Sequence, residues 1–236
     1  MPRADTERIA SAHGSQNGLE RIVLREKEED GMPLYSAQDF TRLLGTPGFS
    51  DALLSQHFEL YRGYVKNANT LHDELAAAAP GKPPAPYWSE LKRRFGWEWN
   101  GMRLHEMYFG NLTKNRTSLE KTAGLGAQIG RDFGSHDAWE KEFRATGSLR
   151  GIGWAALVWD ADAGRLFNVW IDEHDRGQLA GCPVLLLMDV FEHAFMMDYG
   201  TRRADYIEAF LAAADWELAS HRFETARAPV REAAHA

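Results

Sequence analysis

The chain has one cysteine, Cys182, so no disulfide can close within it. A lone thiol fits a reducing cytoplasm, and a cytoplasmic setting is the expectation. No apolar run approaches the roughly 18 residues of a membrane-spanning helix. Residues 1–18, MPRADTERIASAHGSQNG, have no apolar centre, so a secretory signal is not expected. Basic charge is short: 27 Lys and Arg stand against 34 Asp and Glu, a net charge of −7. A protein that neutralises many phosphates carries the opposite excess, which disfavours a nucleic-acid partner. Internal repeats are absent. What remains is an ordinary globular composition, 44% hydrophobic and 26% charged, long enough to bury a sizeable core. The high counts are nine histidines and eight tryptophans, and function is sought there.

Residues 1–35 are polar and without periodicity, and read as an extension. SAQDFTRLL (36–44) reads as a short helix with Ser36 at its N-cap. From Ser50 to about Ala79 the residues Leu53, His57, Leu60, Tyr61, Tyr64, Val65, Ala68, Leu71 and Leu75 recur at steps of three and four. That is one long amphipathic helix. PGKPPAP (80–86) turns the chain, and helices are expected over Tyr87–Phe95 and Glu98–Leu112. The second half reads as helices over Leu119–Phe133 and Asp137–Leu149, then three strand-like runs. These are WAALVWD (154–160), RLFNVWI (165–171) and VLLLMD (184–189), the first two joined by the turn DADAG. FEHAFMMDY and RADYIEAFLAAADWELASHRF read as closing helices. The fold class is therefore α+β. An N-terminal helical hairpin (36–118) precedes an α+β domain (119–227) with a three-stranded antiparallel sheet flanked by helices, and a tail (228–236) ends the chain.

Of the histidines, His13 and His235 lie near the ends. His72 sits roughly 22 Å further along its helix than His57, too far to share a ligand with it. His57 and His105 each fall among aromatic residues, where a lone histidine is more often a core residue than a ligand. MDVFEHAFMMDYG is sharper. Asp189 ends an apolar strand, where an unpaired carboxylate is costly, and His193 comes four residues later. An anionic oxygen and imidazole nitrogens together suit a first-row transition metal. His57, His105, Asp189 and His193 form a three-histidine, one-aspartate set.

With that set the chain resembles the iron/manganese superoxide dismutase family. DVFEHAFMMDYGTRRADYIEAF (189–210) is similar to the family's D-x-W-E-H-A-Y-Y signature with its basic turn before D-Y. GIGWAALVW (151–159) resembles its G-S-G-W strand entry. HFELYRGYVKNAN (57–69) resembles its first ligand helix, and HEMYF (105–109) its H-x-x-Y-W segment. The resemblance covers about residues 36–225. It implies that His57, His105, Asp189 and His193 hold one iron or manganese ion per chain, with a water or hydroxide completing the coordination. It implies superoxide as substrate, disproportionated to dioxygen and hydrogen peroxide as the ion alternates between its trivalent and divalent states. Tyr64 matches the gateway tyrosine with one residue deleted after His57; in an unbroken helix the i+7 spacing keeps it on the same face. Trp154 and Phe109 match aromatic walls, and Phe191 replaces a tryptophan. Arg203 matches an arginine at the substrate entrance, where Arg62 and Lys66 are further cations. Glu192 matches a glutamate that reaches the partner subunit's ligand histidine. The implied assembly is a homodimer built around Glu192 and Tyr206, or a tetramer.

Three departures from the pattern matter. Gly101 stands where iron enzymes of the family place a glutamine against the bound solvent. His174, in the loop after the second strand, aligns with the alternative position for that group, so it is the candidate for orienting the solvent. Tyr61 and Met196 replace a histidine–tyrosine pair of the gateway region, both halves of an interface hydrogen bond having changed together. These departures motivate one competing reading, a dismutase-like protein with a structural or regulatory role. A metal-dependent hydrolase would need a further buried carboxylate as general base, and none presents itself beyond Glu192.

Overall fold

The computed structural model describes residues 33–78, 85–115, 117–119 and 123–228. The extension expected over 1–35 and the tail over 228–236 fall outside them, apart from residues 33–35 and 228. SAQDFTRLL contains a short 3-10 turn, Thr41–Leu43, rather than a helix capped by Ser36. Helix α1 spans Asp51–Ala77 and buries Leu54, His57, Phe58, Tyr61, Val65 and Ala68 along one stripe. The helix runs without interruption past Tyr64, as the i+7 spacing requires.

Helix α2 spans Pro86–Gly110 as one continuous rod. Two helices were expected here. Gly96 costs only about 1 kcal/mol relative to alanine in a helix interior, too little to break a helix anchored by buried Leu91 on one side and by buried residues from Glu98 to Phe109 on the other. Pro86 in its first turn has no N–H to leave unpaired. Helix α3 covers Ala123–Phe133 and α4 His136–Gly147, the latter capped by Ser135.

Strands β1 (Gly153–Asp160), β2 (Arg165–Asp172) and β3 (Val184–Asp189) form one antiparallel sheet in the order β2-β1-β3. The central strand β1 is buried along seven of its eight residues, which explains its lack of polar alternation. The register sets Trp154 opposite Ile171 on one side and opposite Asp189 on the other. A 3-10 turn, Glu192–Ala194, comes after β3. Then come α5 (Met196–Tyr199), α6 (Arg203–Ala213) and α7 (Trp216–Arg227).

One hydrophobic core joins the helical half to the sheet, with Phe58 and Phe109 from the hairpin and Trp154, Leu186 and Phe210 from the rest. A buried polar clamp aligns the two halves. The Asn111 side-chain carbonyl, at the end of α2, accepts from the Leu187 N–H of β3 at 3.0 Å and from Arg222 of α7 at 3.1 Å. This fixes the depth of His105 on α2 relative to Asp189 on β3.

The start of α1 is tied to α5 through its cap. The Ser50 hydroxyl accepts from the Leu53 N–H at 3.1 Å and donates to Asp198 at 2.6 Å, and the Ser50 N–H donates to the same carboxylate at 2.7 Å. Replacing Ser50 by alanine removes both the cap and one arm of this tie. Ser50→Ala should lower the unfolding free energy by about 1–2 kcal/mol in urea titration; a wild-type midpoint would show that the cap is dispensable.

Candidate metal centre

Four side chains from four separate elements meet at the C-terminal end of β3. His57 comes from α1, His105 from α2, Asp189 from the end of β3 and His193 from the 3-10 turn. Their ligating atoms all lie within 4.8 Å of one another. The Nε2 atoms of His193, His57 and His105 stand 3.1, 3.2 and 3.6 Å from Asp189 Oδ2. His57, His105 and Asp189 are buried; His193 retains 23% of its side-chain exposure.

Each group is oriented from behind. His105 Nδ1–H donates to the Gly101 carbonyl one turn back at 2.6 Å, which leaves the Nε2 lone pair facing the centre. Asp189 Oδ1 accepts from the Phe191 N–H at 2.9 Å, so Oδ2 is the oxygen left to face the imidazoles. The Tyr206 hydroxyl donates to the Asp189 backbone carbonyl at 2.5 Å and lies 3.2 Å from the Tyr108 hydroxyl. Tyr206 is therefore wholly buried and presents no surface to a partner subunit, unlike the expectation that paired it with Glu192.

Burial pushes His57 below the ordinary histidine value although the Asp189 carboxylate works against it, and it pushes His105 well below. Burial works to raise Asp189, but His193 and His57 outweigh it and hold the carboxyl below the usual range. The cluster thus sets an anionic carboxylate against two buried rings, His57 and His105, that burial favours as neutral. His57 Nε2 and His105 Nε2 are buried and lack a well-aligned hydrogen-bond partner; the 3.2 Å approach of His57 to Asp189 is close without being directed. Such orphaned nitrogens are rare in native interiors. Three imidazole lone pairs and a carboxylate oxygen converging on one point suit an ion of the iron and manganese kind, so the residues present fit a metal there.

Comparison with known proteins places the chain in a family. A family model described as iron/manganese superoxide dismutases, C-terminal domain, matches residues 121–222. A protein named superoxide dismutase [Fe] from Cupriavidus metallidurans is 38% identical over 182 residues, covering 76% of this chain and 90% of that protein. The chain belongs to the iron/manganese superoxide dismutase family. A superoxide dismutase [Mn] from Haloferax volcanii is 34% identical over 181 residues, 76% of this chain and 89% of its own. A superoxide dismutase [Fe] from Aquifex pyrophilus is 33% identical over 202 residues, 83% of this chain and 94% of its own.

Around the four groups lies an aromatic wall. Phe109 meets His57 edge-on at 4.8 Å, Trp154 meets His105 at 5.0 Å, and Phe191 stacks on His193 at 5.1 Å. Tyr64 stacks on His105 with ring centroids 5.0 Å apart. Gly101 makes room for it: a Cβ there would lie 2.5 Å from the Tyr64 ring.

His174 is fully buried, as a group acting on the centre must be, yet both its ring nitrogens are already engaged. The indole N–H of Trp154 donates to Nδ1 at 3.1 Å, and Nε2 lies 2.9 Å from the Tyr64 hydroxyl. An indole nitrogen can only donate, so Nδ1 accepts and the ring hydrogen sits on Nε2. His174 therefore donates to the Tyr64 oxygen. The reading that aimed this hydrogen at a solvent molecule gains an intermediary, Tyr64.

The other expected residues divide. Arg203 donates to the Leu149 and Gly151 carbonyls at 2.8 and 3.0 Å, so no carboxylate cancels its charge among the described contacts. Arg62 is paired with Glu59. Tyr61 is engaged within its own chain. Its ring is buried, and its hydroxyl accepts from the Gln38 N–H at 3.0 Å and donates to Glu106 at 2.9 Å. Leu60 and Met196 border the same groove. Sequence reasoning missed Trp97 and Glu173. Trp97 packs on His174 at 4.5 Å and donates its indole N–H to Glu173 at 2.9 Å. Glu173 is the one non-glycine residue with positive φ among the described residues, at 49°.

Burial lowers His174 to about 4. Its folded value lies below its unfolded one, so its contribution to stability is whole above about pH 6.5 and disappears as the pH falls to about 4. The loss amounts to roughly 3 kcal/mol. In chelator-treated protein, His174→Gln should lose less stability than wild type across that window in urea titrations. Parallel profiles would mean that His174 is not held neutral.

Proposed function

We propose that this protein is a superoxide dismutase in which His57, His105, Asp189 and His193 hold one iron or manganese ion per chain. The observation that carries the reading is the convergence of three imidazole nitrogens on Asp189 Oδ2, two of them buried and otherwise unpartnered. The family membership supports it independently. Relatives named for each metal align along similar lengths of the chain, so the reading keeps both iron and manganese. The two-part organisation, hairpin over 36–118 and α+β part over 119–227, is retained with it.

When bound, such an ion supplies a one-electron couple that oxidises one superoxide to dioxygen and reduces a second to the peroxide level, which two protons complete as hydrogen peroxide. The chain's own residues provide the setting. Neutral imidazoles and a single carboxylate contribute one negative charge to the site. Tyr64 receives the His174 hydrogen at its oxygen, so its own proton points elsewhere and is available for donation towards the site. Burial raises the Tyr64 hydroxyl above its ordinary value, so it enters each cycle protonated. The aromatic wall of Phe109, Trp154 and Phe191 keeps bulk water off the ligating groups. The chain is acidic and the substrate is an anion, so the uncancelled charge of Arg203 supplies local attraction.

A homodimer belongs to the same reading. Glu192 is exposed beside His193, and Met196 and Met197 are 48% and 47% exposed beside them. With Leu53 and Leu60 they border a groove of about 300 Å³. A second copy that covers these methionines brings its own Glu192 to His193, orienting the ring. No helix among the described residues is long and apolar enough to cross a membrane, and the lone Cys182 accords with a cytoplasmic setting.

The test is metal analysis joined to a superoxide-consumption assay. The purified protein should hold close to one iron or manganese per chain and consume superoxide. Asp189→Ala should remove the metal and lower activity by more than about 100-fold. Full metal retention in that variant counts against the ligand set; a metal-loaded wild type without activity favours the structural or regulatory reading. Sedimentation should find a dimer that Glu192→Ala weakens.

A further inference from the structure

The loop that delivers His174 is held in an unusual way. Strand β2 ends at Asp172, and the chain then passes through Glu173 with φ of 49°. Glycine adopts that left-handed conformation freely, whereas a glutamate does so only when its surroundings hold it there. Three sets of bonds do so. The Glu173 N–H donates to the Ile152 carbonyl at 3.2 Å. Backbone hydrogen bonds close the turn between Asp172 and Arg176, 2.8 Å in one direction and 3.3 Å in the other. The Glu173 carboxylate accepts from Arg176, within the turn, at 3.4 Å and from the Trp97 indole N–H at 2.9 Å. That last bond spans from the middle of α2 to a turn 76 positions later.

The turn matters because it aims the next residue. A left-handed residue reverses the side on which the next side chain emerges, and the next side chain is His174. Its ring is sent inward to full burial, between the Trp154 indole and the Tyr64 hydroxyl. Trp97 also contacts that ring directly, edge to face at 4.5 Å, and lies 5.6 Å from the Tyr64 ring. Arg94, one turn earlier on α2, covers the outer face of Trp97 at 3.9 Å and is paired with buried Glu98. Trp97 is therefore fixed on one side by its own helix and reaches with its N–H to the loop on the other.

We propose that Trp97 is a positioning residue: by holding the Glu173 carboxylate it keeps the left-handed turn that aims His174 at Tyr64. The catalytic consequence rests on the dismutase reading, but the positioning itself does not. A small displacement of His174 leaves Tyr64 without its hydrogen-bond donor, and the Tyr64 proton is then free to turn towards His174 instead of the site.

The test uses the full chain as purified, with two readouts: the His174 Nε2–Tyr64 hydroxyl separation in crystal structures, and turnover of superoxide. In Trp97→Phe and in Glu173→Ala the separation should exceed hydrogen-bond range, about 3.5 Å, and turnover should fall about tenfold with metal content retained. Glu173→Gln keeps an acceptor for the indole and should restore the bond. Glu173→Gly is the deciding background, because glycine holds the turn without help. Adding Trp97→Phe there should move His174 no further. If Trp97→Phe displaces His174 equally in the Glu173→Gly background, Trp97 acts by ring packing alone and the proposal is overturned. An unmoved His174 in Glu173→Ala overturns it too, whether or not Trp97→Phe folds. A wild-type protein without metal or dismutase activity would sink the functional reading while leaving the separation to be read.

Discussion

The buried carboxylate of Asp189 is the constraint on which the rest of this structure depends. It ends a strand whose other residues are apolar, and it is shielded from solvent on all sides. A lone charge there would be expensive enough to protonate or to unfold its surroundings. Neither happens, because the hydrogen bond from the Phe191 N–H, together with His193 and His57, favours the ionised form. Burial in turn lowers His57 and His105, which favours their neutral forms. The carboxylate is thus compatible with the fold only while four separate elements stay in register around it.

That requirement explains features that look unrelated. The continuous α2 carries His105 to the correct depth, and Asn111 at its end pins that depth to β3. The antiparallel register places Trp154 beside Asp189, so one indole can close the space above His105 and still reach His174. Tyr206 directs its hydroxyl at the Asp189 backbone carbonyl, fixing the strand end from the side of α6. Ser50 and Asp198 link the start of the His57 helix to the segment beyond His193. Each is an ordinary hydrogen bond worth about 1 kcal/mol net. Their joint effect is to hold the ligating groups without any of them facing bulk water except through His193.

The legible part of this arrangement was the local part. D-x-x-x-H after an apolar run could be read directly, because strand end, turn and histidine are neighbours in sequence. The stripe carrying His57 and Tyr64 could be read from its helical period, and the three strands from their apolar runs and the DADAG turn. Gly96 misled, since a single glycine weakens a helix without ending it. Periodicity put Tyr61 on the buried face, but that its hydroxyl meets Gln38 and Glu106 depended on the fold of the segment before α1. Trp97 and Glu173 gave no signal at all. A glutamate with positive φ has no sequence signature, and its indole partner lies on another element.

The direction of the hydrogen bonds around His174 has a consequence of its own. A side-chain amide offers two donors and an acceptor, so it can serve an indole, a phenol and a third group together. A neutral imidazole offers one of each. With Trp154 occupying the acceptor, the single donor of His174 goes to Tyr64, and the chain of bonds runs one way, from indole to imidazole to phenol. The donor of His174 therefore acts at the Tyr64 oxygen, not directly at the centre. Gly101 leaves the Tyr64 ring its place there, because the space a longer side chain would need is filled by that ring. A ring that replaces an amide thus couples the tyrosine to the loop of residues 172–178, and the geometry of that loop becomes part of the chemistry.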